Sequence, residues 1–378
     1  MQAGFWLATD HPAVTPGPIS QNCAGCGAAG QLLANFCSRC GQDLRGAAGG
    51  LPAHTQLQES WSQPEDDPIE CLLGNHALLA ALRQTGQVDL WNPYQSARLQ
   101  RLPIPANVEA AALIDNLLVT IRQDQVEALH LTPALRQDSC RFDRNVRFQT
   151  PGPIASPLAS NARSLAWIAG SELLCQQVSP AGLKPAWRQP WKGSCQSLAW
   201  NEQGLWALQK SHLTLHSESS GEPLLRLELP GAALALSLQG TDIWVCGDQG
   251  ELWLYHSGVL QRNWPGRGET CFSFATSPHH VIQCSGRRLR VLHQRSGRQH
   301  LLEIPQPCVL PPVLGPQWAV LVSYEGMVYQ LALDQEQPRV SQARRPFSSF
   351  EPIMIRPVVA GPRLFLAGPE GQLAGWLL

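Results

Sequence analysis

From about residue 69 onward the chain alternates short apolar runs with tight polar turns, in one recurring pattern. An apolar strand, a short turn and a second strand of alternating character follow one another. The clearest copies are Leu78-Leu79-Ala80-Ala81-Leu82, a turn at Gly86, then Val88-Asp89-Leu90-Trp91; and Ile243-Trp244-Val245-Cys246, a turn at Gly250, then Leu252-Trp253-Leu254-Tyr255. Two further copies turn at Gly326, before Val328-Tyr329-Gln330-Leu331, and at Gly371, before Leu373-Ala374-Gly375-Trp376. Weaker copies turn near Asp124, Ser171, Ser211 and Gly286. Helical periodicity is nearly absent. Gly, Pro and Ser punctuate the runs, as an all-β chain requires.

The eight turns recur at intervals of about 41 residues. A period near 40 holding four short strands predicts a β-propeller blade. The count is eight blades, with seven the alternative, because the repeat around Ser171 is poorly marked. The segments 153–158, 308–313 and 352–358 precede strand pairs and are candidate innermost strands. The last repeat reaches Leu378 with three strands, and residues 55–61 are placed to supply the fourth from the other end. Such closure removes the two open sheet edges.

The phrases Tyr324-Glu325-Gly326-Met327-Val328-Tyr329-Gln330-Leu331-Ala332-Leu333-Asp334 and Gly368-Pro369-Glu370-Gly371-Gln372-Leu373 resemble the usual strand-turn-strand phrase of pyrroloquinoline-quinone-like and WD-repeat-like propellers. The resemblance implies one propeller over residues 55–378. Quinone ligands and a catalytic aspartate cannot be assigned, adjacent cysteines are absent, and so are the Trp-Asp and Gly-His pairs of strict WD repeats. The analogy therefore runs to non-enzymatic propellers that serve as binding platforms.

The N-terminal part adds different chemistry. Cys23, Cys26, Cys37 and Cys40 form two Cys-x-x-Cys pairs, with Gly27 and Gly41 after the second cysteine of each. Two such knuckles can wrap four thiolates around one tetrahedral zinc ion, and glycine suits the tight turn that frees amides for the sulfurs. A closed four-sulfur set leaves no position for water or substrate, so the expected Zn2+ is structural. Residues 28–36, between the knuckles, are expected to form a short hairpin. Phe36-Cys37-Ser38-Arg39-Cys40-Gly41-Gln42-Asp43-Leu44 resembles the second knuckle of the short zinc-ribbon family. That resemblance implies a protein-contacting module. The expected organisation is an extension over 1–19, the ribbon over 20–46, a Gly/Ala/Pro tether over 47–54 and the propeller from 55.

Composition narrows the function classes. The chain has 378 residues, 44% of them hydrophobic and 15% charged, with a formal net charge of -1. That balance argues against a nucleic-acid surface built on bulk positive charge. No secretory leader pattern and no apolar run of about 18 residues stands out, so the expectation is a cytoplasmic, bacterial protein with no membrane contact. The other eight cysteines, Cys71, Cys140, Cys175, Cys195, Cys246, Cys271, Cys284 and Cys308, are irregularly spaced, several of them inside apolar runs. They read as buried free thiols rather than a disulfide framework.

Other candidate groups favour ordinary roles. His279-His280 reads as a loop rather than a metal site, and His212, His216, His256 and His293 as blade-surface residues rather than general bases. The basic run Arg287, Arg288, Arg290, Arg295 and Arg298 reads as a solvated turn, with a phosphate or acidic-partner patch as the sharper alternative. Trp91, Trp244, Trp253 and Trp376 recur with the repeats and are assigned to inter-blade packing. No P-loop, His-Glu-x-x-His or Gly-x-Ser-x-Gly motif is present. The expected role is a protein-binding scaffold with a structural zinc ribbon. The alternatives are an enzyme, a hydrolase or quinone-type oxidoreductase with its site in the channel, and less favoured, a nucleic-acid binder. Charged residues from several blades at the channel would favour the enzyme.

Overall fold

A computed structural model describes residues 20–22, 29–31, 59–63 and 67–377, apart from 95–96, 123–124, 134–139, 155, 157, 180–181, 316, 334–336, 348–351 and 362. Every regular element among the described residues is a β-strand; Ser20–Asn22 and Ala29–Gln31 form a hairpin of their own, and the other strands form eight antiparallel blades in a ring.

Blade 1 shows the plan. Its innermost strand Ile69–Gly74 pairs with Leu79–Arg83, which pairs with Gln87–Asn92, which pairs with the outermost strand Ala97–Pro103. Blades 2 to 7 begin at the inner strands Ala110–Ile114, Ala159–Ser160, Ser197–Asn201, Ala233–Gln239, Ser273–Thr276 and Val313–Leu314. Blade 8 consists of Val358–Ala360, Arg363–Ala367 and Leu373–Leu377, with Glu59–Gln63 as its fourth strand. Trp61 stands opposite Gly375 and Gln63 opposite Leu373. The expected closing strand is therefore present, shifted from 55–61 to 59–63.

Seven of the eight turn positions read from the sequence fall between the second and third strands of a blade, and the eighth, Gly286, lies inside the long strand His280–His293. Four of them share one geometry. Gly86, Gly250, Gly326 and Gly371 have φ of 81°, 81°, 81° and 84°. Each donates its N–H to the carbonyl three residues back, at 3.0–3.2 Å. A Cβ at Gly86 would lie 2.9 Å from the Ile104 carbonyl oxygen, and one at Gly250 would lie 3.0 Å from that of Glu269. Positive φ and a crossing chain both demand glycine here. In blade 6 the run His280–His293 turns back on itself at Gly286: Gln294 N–H reaches His279 O at 2.8 Å.

The buried apolar side chains divide into eight clusters, one per blade–blade interface. Alternate residues of a strand enter opposite interfaces, so a middle strand such as Leu79–Arg83 is buried throughout. Ala80 and Leu82 pack toward blade 2 while Leu79 and Ala81 pack toward blade 8. The cluster joining Trp91 and Leu79 to Phe365 and Leu373 closes the ring. Eight interfaces settle the count at eight blades. Trp91, Trp244, Trp253 and Trp376 are all at most 2% exposed, as inter-blade packing requires.

Two expectations change. The segments 153–158, 308–313 and 352–358 are mostly crossings between blades, and the inner strands begin at Ala159, Val313 and Val358. Proline removes ladder donors, and in the first two of these runs the pairing shrinks to isolated bridges, Ile154 with Ala169 and Cys308 with Ser323. Near the N-terminus, Ser20–Asn22 pairs with Ala29–Gln31, so this hairpin brackets the first Cys-x-x-Cys in sequence instead of lying between the knuckles. Cys23, Cys26, Cys37 and Cys40 themselves lie outside the described residues.

Candidate functional site

In each blade the second turn and the crossing to the next blade lie at the same end, because the four strands alternate in direction. Backbone bonds tie them together: Ile104 N–H to Gly86 O at 3.0 Å, Tyr324 N–H to Pro307 O at 2.8 Å and Ile353 N–H to Tyr324 O at 3.1 Å. Among the described residues, this crossing face exposes three large apolar side chains in consecutive blades. Phe272 is 49% exposed, Tyr324 42% and Met354 62%. Short backbone steps connect them. Phe272 N–H bonds Cys284 O at 2.9 Å, and Cys308, beside Pro307, stands opposite Gly286 in the ladder.

Arg356 lies two residues beyond Met354, half-buried and without a hydrogen-bond or ion-pair partner among the described residues. Burial pulls its guanidinium down to about 10, with no neighbouring charge contributing. An aromatic ring, a thioether and an unpaired cation on one face are what a protein-binding site employs.

The channel is lined differently. Glu70 is the only charged residue in the eight innermost strands. Burial, and then the nearby Asp67 carboxylate, push its carboxyl above the usual range. Among the described residues, the innermost strands bring no second charged group beside it.

A cleft of about 380 Å³ opens on the same face of blade 5, lined by Pro230, Gln249, Glu251, Trp253, Asn263 and Pro265 among others. Blade 1 holds an ion cluster around Asp89. Asp89 accepts Arg83 Nε at 2.6 Å, Arg101 Nε at 2.6 Å and Arg101 Nη2 at 2.9 Å. Burial alone would raise this carboxyl, but Arg101 and Arg83 hold it below its usual value. Arg98 lies 4.0 Å from the same carboxylate and 5.8 Å from the centroid of Trp91. A carboxylate this heavily paired is a structural anchor rather than a base.

The basic run does not form one patch. Arg287 and Arg288 are exposed at the crossing face, where Arg288 pairs with Glu269. Arg290 is buried, and Arg295 and Arg298 stand at the opposite end of the blade. His279 belongs to a turn, as expected, while His280 begins a strand and is 5% exposed. Its ring meets His293 edge-on at 5.2 Å, and burial, then His293 and His279, push it down to about 4. His216 is also buried, with Nδ1 2.9 Å from Gly221 O, which corrects its assignment to the surface. His256 is exposed and bonds Asp242 at 2.7 Å. Among the described residues no group of His, Cys, Asp and Glu is arranged to hold a metal ion. Cys71, Cys175, Cys246, Cys271, Cys284 and Cys308 are buried free thiols and Cys195 is half-buried. No described helix is long and apolar enough to cross a membrane.

No family model matches the chain, and no curated protein matches it. Its fold is similar to several solved propellers. Sqt1 of Chaetomium thermophilum, bound to the N-terminus of the ribosomal protein L10, superposes with a TM-score of 0.67 at 12% identity, covering 85% of this chain and 100% of that one. The C-terminal WD40 domain of Sif2 gives a TM-score of 0.67 at 15% identity, covering 85% of this chain and 98% of that one. BamB of Moraxella catarrhalis gives 0.62 at 11% identity, covering 85% and 100%. At these identities the likeness establishes the propeller fold.

Proposed function

We propose that the chain is a non-enzymatic protein-interaction scaffold whose crossing face, over blades 6 to 8, docks a protein partner. The exposed trio Phe272, Tyr324 and Met354 beside unpaired Arg356 carries this reading. Exposed aromatic and thioether groups on the face that carries Arg356 favour a partner segment with apolar side chains and a carboxylate. The protein-bound state of the similarly folded Sqt1 supports the same use of the fold. The sparse charge of the inner strands weighs against the channel enzyme.

Cys23, Cys26, Cys37 and Cys40 hold one structural Zn2+ in this reading, and the ribbon adds a second contact on its tether. Linked modules gain affinity through effective concentration. Affinity capture from the native lysate with the intact chain and with Cys37→Ser/Cys40→Ser tests this division of labour. A partner lost from the variant assigns docking to the ribbon. A partner held equally by both assigns it to the propeller. Turnover of a substrate class by the purified chain would overturn the scaffold reading.

A further inference from the structure

The outermost strand of blade 4, Pro223–Glu228, pairs inward with His212–His216, and among the described residues no strand pairs with its outer edge. The ladder fixes which backbone groups face outward. Leu229 N–H bonds Ser211 O at 2.9 Å, and Leu227 stands opposite Leu213 in the same register. Along an antiparallel strand, successive residues turn their N–H and C=O groups to opposite sides. Leu227 and Leu229 therefore turn theirs inward to the blade, while Arg226 and Glu228 turn theirs outward.

The edge is apolar as well as open. Leu224 is 60% exposed and Leu225 37%. Leu225 reaches the neighbouring blade, where a Cβ at Gly258 would lie 2.7 Å from its Cδ2, and Gly258 leads into the exposed Val259. Leu227 and Leu229 are half-buried against the cluster that joins blades 4 and 5. Open edges are ordinarily blunted by proline or charge within the strand. Pro185 sits inside the outermost strand of blade 3, and Pro305 and Pro307 inside that of blade 6. In Pro223–Glu228 the proline is only the first residue, and none interrupts the rest.

We infer that this edge pairs antiparallel with the same edge of a second copy of the chain, joining two four-stranded blades into one continuous sheet across a two-fold axis. The occupant and the register follow from the two outward-facing residues. Symmetric pairing can set Arg226 against itself, Glu228 against itself, or each against the other. The first two place like charges directly opposite, which destabilises a strand pair. The third puts Leu227 on the axis and Arg226 opposite Glu228 of the partner subunit, twice over by symmetry.

In that register the outward N–H and C=O groups of Arg226 and Glu228 meet their counterparts as hydrogen-bonded pairs. Within one chain Arg226 Nε lies 3.2 Å from Glu228 Oε1, so the two cross-strand pairs join a single cluster of alternating charge. On the other face Leu225 comes opposite Leu229 of the partner subunit, and the cluster joining blades 4 and 5 gains apolar cover. The backbone parity, the charges and the apolar face thus favour one register, and a second copy is the partner that satisfies all three.

The test is sedimentation velocity of the purified full-length chain over a concentration series reaching about 100 μM, because so short a strand pair makes a small interface. The wild type should show a reversible monomer–dimer equilibrium. Arg226→Glu and Glu228→Arg, each of which sets like charges opposite, should each weaken association by about tenfold or more. A one-to-one mixture of the two single variants, and the double variant Arg226→Glu/Glu228→Arg, should each restore the dimer. Arg226→Pro removes an outward donor without touching the inward ladder and should abolish the dimer. A wild type that stays monomeric at the highest concentration overturns the proposal. So does a dimer that the single reversals leave unchanged, or a mixture that associates no better than its components. Both side chains are largely exposed, so the charge variants should unfold at the wild-type temperature. The wild-type series and the double variant decide the question even if Arg226→Pro fails to fold. No other protein enters the experiment, so its outcome is independent of docking on the crossing face.

Discussion

Gly361 donates its backbone N–H to the carbonyl oxygen of Asn75 at 3.0 Å, which ties the inner hairpin of blade 8 to that of blade 1. Asn75 also reaches forward, its Nδ2 donating to Asp115 O in blade 2 at 2.6 Å. Its Oδ1 accepts the N–H groups of Ala77 and Leu78, both at 2.9 Å. One side chain thus shapes its own turn and couples three blades at the end opposite the crossing face. A similar link runs from Asn201 Nδ2 to Gly240 O at 3.0 Å, between blades 4 and 5.

Asn75→Ala leaves the Asp115 carbonyl and two turn amides without these partners. Losing such bonds at a largely buried site costs about 1–3 kcal/mol. The expected outcome is a lower denaturant midpoint with an unchanged slope, measured by tryptophan fluorescence. A midpoint equal to the wild type would refute the coupling role.

Asp89 makes acid stability measurable. Its carboxyl is held below the ordinary value by Arg101 and Arg83 in the folded state. A depressed folded pKa contributes stability that is full above the unfolded carboxylate value, about 4. That contribution is lost as pH falls through the lower folded value. Asp89→Asn should destabilise the chain by about 3–5 kcal/mol at neutral pH, because the buried Arg83 guanidinium loses the Asp89 charge that it faces. The gap between variant and wild type should narrow as the pH falls below about 4. Denaturant midpoints across pH check this, and a gap independent of pH would contradict it.

The ribbon makes its own prediction. Metal analysis of the purified chain should find one zinc per molecule, lost in Cys37→Ser/Cys40→Ser. A segment of this size has almost no apolar core, so zinc binding of about 10–16 kcal/mol supplies its folding energy. Chelation should release the metal and leave the unfolding transition of the propeller where it was. A propeller transition that moved with zinc would mean the two modules share a core.

The turns were legible because a positive φ favours glycine at Gly86, Gly250, Gly326 and Gly371, and at Gly86 and Gly250 a crossing chain leaves no room for a side chain. Middle strands were legible because both faces are buried, which yields unbroken apolar runs such as Leu78-Leu79-Ala80-Ala81-Leu82. Inner strands were harder. Ala159–Ser160 and Val313–Leu314 are two residues each, too short for any periodicity, and the proline-rich crossings before them look equally apolar.

The candidate sites were less legible because they assemble across blades. Phe272, Tyr324 and Met354 come from three crossings or turns, and no local pattern distinguishes them from core residues. Arg287 and Arg290 are three positions apart, yet strand alternation and the hairpin leave one exposed and the other buried.

The central claim is that the crossing face over blades 6 to 8 docks a protein. Its most direct test is the affinity of the captured partner for the wild-type chain and for Phe272→Ser/Tyr324→Ser/Met354→Ser, measured by calorimetry. These side chains are exposed, so the variant should unfold at the wild-type temperature. Truncating anchors worth about 1–2 kcal/mol each should weaken binding by about 100-fold or more. Equal affinity for both proteins would contradict the account and move the docking site off this face.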